Sequence, residues 1–336
     1  MNAVGIGDLH LTSSVGKGGL AAYIKDHDAM VARAVTRVLA WGRERGIKRC
    51  LMYGDVCEGT RMSYDAMRAL ISVFRNNQDF KFEIILGNHD LFAEDPALGH
   101  SLQIIKEFAF DNVRIHEEPS IKKIDGCRVK FLPWPHADFD ADCLNVAHVD
   151  VAGAKTDSGR PVSKGSSSTA VAVIGHIHTR QKVRNTHYSG TLYQTTFGES
   201  PQKSFHHIEY DDGWRITEIP FVPEYRLHSL KIAKRRDLLK IPDSQRTKKD
   251  LYKLVLLDGC ELKADDVAGL HVVSVKSVNT AQELALAKVE ELAQGTEVEI
   301  SSDEFFDAWL EQQHLEPKLH KATRALRMTI LKERDK

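Results

Sequence analysis

The sequence predicts an α/β protein with two β-sheets packed face to face and helices outside. Three observations carry that prediction. Apolar runs of strand length alternate with helical spacing up to about residue 90, strands then crowd together from about 113 to 220, and four apolar strands run directly into a glycine and a short polar cluster.

The elements follow in order. "NAVGIGDLH" reads as a strand from about residue 2, with Asp8 and His10 at its exit. In "DHDAMVARAVTRVLAWGRERG", Met30, Val31, Ala34, Val35, Val38 and Leu39 recur at helical spacing, and Gly46 closes the run. "IKRCLMYGD" is a strand. "SYDAMRALISVF" is a helix with Ser63 as N-cap and Met67, Leu70, Ile71 and Phe74 on one face. "KFEIILGNHD" is another strand, and further strands are expected at 113–116, 120–124, 127–132, 144–149 and 169–175, with three more to about 220.

Composition sets the class. A hydrophobic fraction of 42% and a charged fraction of 28% are those of a folded globular protein and argue against disorder. The formal charge of -1 gives no bulk electrostatic case for nucleic acid, so such a partner has to be argued from local patches. Cys50, Cys57, Cys127, Cys143 and Cys260 are odd in number, widely spaced and without a C-x-x-C pair, which suits reduced thiols in a cytoplasmic protein. Neither a basic-then-apolar leader nor a run of membrane-spanning length is present in the sequence, so no membrane association is expected.

The chemistry lies at the strand ends. "GDLH" (7–10), "GDVCE" (54–58), "GNHD" (87–90) and "GHIH" (175–178) each begin with glycine, which allows a sharp turn, and each offers oxygen or imidazole donors just afterwards. "NVAHVD" (145–150) delivers His148 in the same way. His176 and His178, separated by one residue in an extended backbone, lean to the same side. Donors from the same ends of several strands converge. Asp8, His10 and His178 can hold one metal, Asn88, His148 and His176 a second, and Asp55 can bridge both. Mixed oxygen and imidazole donors suit Mn, Fe or Zn better than Ca or Mg. A centre with two divalent cations stays net positive and prefers a phosphate-like substrate.

D-x-H, then G-D, then G-N-H-D, a lone H, and G-H-x-H, in that order over roughly residues 1 to 220, resembles the calcineurin-like metallophosphoesterase family. The resemblance implies a four-layer α/β/β/α sandwich with a dinuclear site across its strand ends. It also implies two divalent cations, Mn2+ foremost with Mg2+, Fe2+ or Zn2+ as alternatives, and hydrolysis by a hydroxide bridging two metals roughly 3.5–4 Å apart. His89 is expected to act as general acid or transition-state donor, with Asp90 orienting its ring. Protein phosphatases of the family carry G-D-x-x-D-R-G and G-N-H-E, whereas this chain has "GDVCEGT" and "GNHD". "YSGTLYQTTFGESPQKSF" (188–205) is instead similar to the region after the last motif in SbcD-type nuclease subunits, partners of an SMC-like coiled-coil ATPase in DNA repair and recombination. That branch usually has a histidine three residues after the bridging aspartate; Glu58 stands there in this chain. The branch implies DNA as substrate, an SbcC-like ATPase as partner, and homodimerisation as a further arrangement. A small-molecule phosphodiesterase or pyrophosphatase of the same fold is the alternative.

The remaining histidines lack ligand company. His136 follows a Pro-rich turn, and His206 and His207 should face opposite ways, one to the core and one to the surface. "AGAKTDSGRPVSKGSSSTA" (152–170) has the composition of a flexible surface loop, from which Lys155, Arg160 and Lys164 could reach a nucleic-acid backbone. The domain expectation is a phosphoesterase domain over 1–222, an α/β cap over 223–300 and C-terminal helices over 301–336. In the cap, "LYKLVLL" and "LHVVSVKSV" read as strands and 280–294 as a helix with a Thr280/Glu283 capping box. Ser301 and Glu304 form another capping box. Residues 317–336 carry seven Lys and Arg against two acids, a face that can pack on the cap or dock an ATPase.

Overall fold

In the computed structural model, which describes residues 1–12 and 19–278, the early apolar runs become neighbouring strands. Strands β1 (Asn2–Ile6), β2 (Arg49–Met52), β3 (Lys81–Ile85) and β4 (Val113–His116) lie parallel in one sheet. A second sheet has the order β5-β6-β7-β8-β10-β9, with β6 (Cys127–Leu132), β7 (Leu144–His148), β8 (Ala172–Gly175) and β10 (Thr186–Tyr188) parallel. β5 (Ser120–Ile124) and β9 (Gln181–Val183) pair antiparallel at its two edges. The chain then returns to the first sheet: β11 (Lys203–Tyr210) runs antiparallel to β1, and β12 (Trp214–Phe221) hairpins back on β11. Four strands therefore occupy 181–221, where three are expected from the sequence.

Parallel strands buried on both faces read as continuous apolar runs. Ala3, Leu51, Ile85, Val129, Phe131, Val146 and Val173 form the layer between the two sheets. On the first sheet's outer face, Val4, Ile6, Met52 and Ile84 pack against helices α1 (His27–Arg43) and α2 (Tyr64–Asn76). All six predicted apolar residues of α1 are buried. The Ser63 hydroxyl caps α2 by accepting from the Ala66 N–H at 3.1 Å. The buried stripe of α2, however, is Ala66, Ala69, Leu70, Val73 and Phe74, with Met67 and Ile71 only partly covered. Small alanines let α2 lie close to α1, and the bulkier Met67 and Ile71 rotate to the flank. Burial of Leu70 and Phe74 contributes about 1.5–3 kcal/mol each.

The second sheet's outer face, with Ala147, Ala172, Ile174 and Tyr188, is covered by Trp134, Ala137, Phe139 and Val162, all from loops. Among the described residues, helices therefore flank one outer face and loops the other. Short α3 (Gln103–Glu107), in a stretch with no expected element, precedes β4.

Residues Met1–Ser277 form one compact unit. β13 (Arg226–Ile232), β14 (Asp250–Leu257) and β15 (His271–Val278) make a three-stranded sheet, β13 and β14 parallel. Ile232, Leu238, Tyr252, Leu254 and Leu256 give it a core of its own, while Leu227 and Leu251 join the larger core around α1. β13 has no counterpart in the sequence reading because Leu227 and Leu230 break the alternation that would mark a strand. The expected helices at 280–294 and beyond 301, with their capping boxes, lie outside the described residues. All five cysteines are free thiols. No helix among the described residues is long and apolar enough to cross a membrane.

Candidate metal centre

The carboxyl ends of β1, β2, β3, β7 and β8 bring Asp8, His10, Asp55, Asn88, His148, His176 and His178 together. Donor atoms of Asp8, His10 and His178 lie within 4.8 Å of one another, as do those of Asp55, His148 and His176. Asn88 Oδ1 is 3.1 Å from both His148 Nε2 and His176 Nδ1. Asp55 Oδ2 stands between the two groups, 3.1 Å from His148 Nε2 and 3.9 Å from His10 Nε2. One carboxylate oxygen faces both halves.

The backbone makes these meetings by departing from strand geometry. Asp8 (φ 55°), His10 (φ 44°), Asp55 (φ 49°) and His176 (φ 88°) are all non-glycine residues in the left-handed region. Such conformations are uncommon and disfavoured, and they persist where the surroundings hold them. Here a ladder does so: Asp8 N–H donates to Gly54 O at 3.1 Å, His10 N–H to Asp55 O at 3.0 Å and Leu11 N–H to Val56 O at 3.0 Å. The motif glycines serve mostly a different purpose from the expected sharp turn. A Cβ on Gly175 would lie 2.5 Å from Tyr53 O and 2.8 Å from His148 Nδ1, and one on Gly87 would overlap Asp55 Oδ1. Close packing of the donor loops, with ordinary φ, requires glycine at both.

The far nitrogens of three rings are fixed by oxygen acceptors. His10 Nδ1 donates to Glu58 Oε2, His178 Nδ1 to Glu199 Oε1 at 3.1 Å, and His148 Nδ1 to Tyr53 O at 2.6 Å. In the neutral rings each Nε2 is thereby left with its lone pair facing inward. The Nε2 atoms of His10 and His178 are 2.9 Å apart. Asp8 is fully buried; its Oδ1 accepts from His176 N–H at 2.8 Å, whereas Oδ2 has no hydrogen-bond partner among the described residues. A buried orphan carboxylate oxygen beside inward-facing imidazole lone pairs fits a cation between them, and the donors suit Mn, Fe or Zn.

With no cation between them, these groups shift one another strongly. Burial alone would raise the Asp55 carboxyl, but His148, and after it His10 and His89, hold it well below the usual range. Burial works against charge on His148 too, yet Asp55 and Asp8 push it up to about 9. His176, pressed by burial and by His148, falls to about 4. Trp134 stacks on the His176 ring at 5.3 Å.

His89 lines a cleft of about 220 Å3 together with His10, Glu58, His178, Tyr193 and Thr195. Its side chain is 43% exposed, and its Nδ1 lies 3.3 Å from Glu58 Oε1. That contact, opposed by burial and aided by Asp55, pushes it up to about 9. The expected pairing of Asp90 with His89 is not found. Asp90 is fully buried and accepts from the N–H groups of Gly87 (2.9 Å), Cys57 (2.9 Å) and Val56 (3.3 Å). Those N–H groups have no other acceptor among the described residues, so they turn the carboxylate into the loops and away from the cleft. Burial, with the charge of Asp55, pushes Asp90 up to about 6 despite these bonds.

Glu58 and Glu199 are the residues that sequence reasoning passed over as holders of the site. Glu58 stands where the nuclease branch usually has histidine, and Glu199 sits beyond the last motif with no local pattern to mark it. The 152–170 segment is tied down: Asp157 accepts from His178 N–H at 3.2 Å and from the Thr179 hydroxyl at 2.9 Å. His206 is buried and His207 reaches Asn2 at the surface, on opposite sides of β11.

No protein-family model matches the chain. Among curated proteins the chain is similar to exonuclease subunit 1 of Enterobacteria phage T4, at 21% identity over 219 residues, 59% of this chain. The match spans 61% of that relative's length.

Proposed function

We propose that the chain is a dinuclear metal-dependent phosphodiesterase, acting as the DNA exonuclease or endonuclease subunit of an SbcCD-like repair and recombination complex. The observation that carries this reading is Asp55 Oδ2 standing between His10 and His148, with Asp8 and His178 on one side and Asn88 and His176 on the other. Similarity to an exonuclease subunit supports nucleic acid as the substrate. Two divalent cations, Mn2+ foremost, would polarise the phosphodiester and acidify a water for attack near neutral pH.

The chain's own groups have distinct tasks. Asp8, His10 and His178 would hold one cation, Asn88, His148 and His176 the other, and Asp55 both. His89, tied to Glu58 through Nδ1, presents Nε2 in the cleft to a phosphate oxygen. Lys155, Arg160 and Lys164 belong to the loop whose Asp157 accepts from His178 and Thr179, and in this reading they contact the phosphate backbone of DNA. The four-layer sandwich belongs to this reading; two packed sheets and helices on one outer face support it, and among the described residues loops cover the other face. So do the SMC-like ATPase, docking on the segment 301–336, homodimerisation, and a cytoplasmic setting.

Labelled single- and double-stranded DNA with Mn2+ or Mg2+, with and without a coiled-coil ATPase subunit, tests the proposal. Cleavage by wild type that is lost in Asp55→Asn and in His89→Ala supports it. Ready cleavage of small model diesters with no action on DNA ends would favour the small-molecule phosphodiesterase or pyrophosphatase, a reading that suits the small volume of the cleft.

A further inference from the structure

The segment 188–205 resembles the nuclease branch without a role for any of its residues, and the structure gives it one. Glu199, its side chain 1% exposed, is the acceptor at the centre of a buried cluster. Its carboxylate receives His178 Nδ1 at 3.1 Å, Thr195 N–H at 3.1 Å, Thr196 N–H at 3.2 Å, the Thr195 hydroxyl, and Lys203 Nζ at 2.7 Å. Lys203, also 1% exposed, neutralises it and donates in addition to Thr191 Oγ1 at 2.7 Å. Both carboxylate oxygens are met by donors from Thr195, Thr196 and Lys203, so toward the His178 ring the carboxylate is the acceptor. The proton of the neutral His178 ring must therefore sit on Nδ1, which leaves the Nε2 lone pair directed at His10 and Asp8.

Glu199 is itself held from a distance. The Gln194 amide, 1% exposed, donates to Glu199 O at 3.1 Å and to Leu227 O at 3.1 Å, and accepts from Leu227 N–H at 2.9 Å. A contiguous set of bonds thus runs from β13 through Gln194 and Glu199 to His178. We infer that Glu199 is a positioning residue that fixes the tautomer and direction of His178, and that Gln194 makes the third sheet part of the same arrangement. For its catalytic consequence this rests on the two-cation reading; the geometry of His178 stands without it.

The experiment has two arms. In metal-free protein at alkaline pH, 15N NMR of the imidazoles reads the His178 tautomer: Nδ1-protonated in wild type, shifted toward Nε2 in Glu199→Ala, and largely kept in Glu199→Gln, whose amide oxygen still accepts. Because Glu199→Ala strands Lys203, the double variant E199A/K203M is measured beside it. In the second arm, Mn2+ uptake is followed by EPR, and the alanine variants should weaken one of two sites by about 10–100-fold while sparing the other. An unchanged tautomer, or equal weakening of both sites, overturns the inference. A shifted tautomer in a protein whose wild type binds no Mn2+ would overturn the two-cation reading and leave the role of Glu199 supported.

Discussion

The Nε2 atoms of His10 and His178 face each other across 2.9 Å, and behind each ring a carboxylate holds the opposite nitrogen, Glu58 for His10 and Glu199 for His178. Two lone pairs so opposed repel unless a proton or a cation lies between them. The folded state should therefore bind divalent cations that the unfolded chain does not. Mn2+ at a hundred times its dissociation constant should add about 2.7 kcal/mol of stability, read as a rise in melting temperature that a chelator reverses. A melting curve indifferent to Mn2+ and chelator would count against the centre.

Asp90 binds three backbone N–H groups that shape the loops carrying Asp55 and Asn88. Asp90→Asn presents one oxygen where two accept, so a buried donor is left unsatisfied. A loss of about 1–3 kcal/mol in denaturant unfolding is expected. Had Asp90 served chiefly to orient His89, the substitution would slow catalysis with stability intact.

Gly175→Ala puts a methyl group within 2.8 Å of His148 Nδ1 and 2.5 Å of Tyr53 O, the two partners of one hydrogen bond. The His148 ring must move. Overpacking of this kind should destabilise by about 1–3 kcal/mol and lower Mn2+ affinity, both measurable on the purified variant by melting and by titration. Retention of wild-type affinity would show that His148 is not needed as a ligand.

Asp28 joins the loop after β1 to the start of both helices: it accepts from Thr12 N–H at 2.9 Å and from the Ser63 hydroxyl at 3.4 Å, beside His27 Nδ1 at 3.3 Å. Burial alone would raise its carboxyl, but His27 and Thr12 bring it below the ordinary value. A carboxylate depressed in the folded state stabilises above its unfolded pKa, about 3.9, and that stability is lost as pH falls through the folded value. Asp28→Asn should therefore be less stable than wild type at neutral pH, and the gap should narrow on acidification below about pH 4. A constant gap across that range would contradict the assignment.

Much of the gathering of residues was legible because parallel strands place their carboxyl ends on one side, so donors that follow glycine at those ends must meet. The mixed α/β class was legible for the same reason. What escaped the sequence was set by contacts with no local period. Glu58 and Glu199 act through rings 48 and 21 residues away. Sequence adjacency suggests that Asp90 serves His89, but backbone N–H groups of Val56 and Cys57 claim its carboxylate. The stripe of α2 turned because Ala66 and Ala69 allow close approach to α1, a choice that helical periodicity alone leaves open.

The proposed phosphodiesterase chemistry requires two cations to share Asp55. The most direct measurement is an anomalous-scattering crystal structure of the Mn2+-soaked protein. Two peaks are expected, one among Asp8, His10 and His178 and one among Asn88, His148 and His176, each within coordination distance of the Asp55 carboxylate. A single peak away from Asp55, or none in well-ordered density, would show that no such shared centre exists.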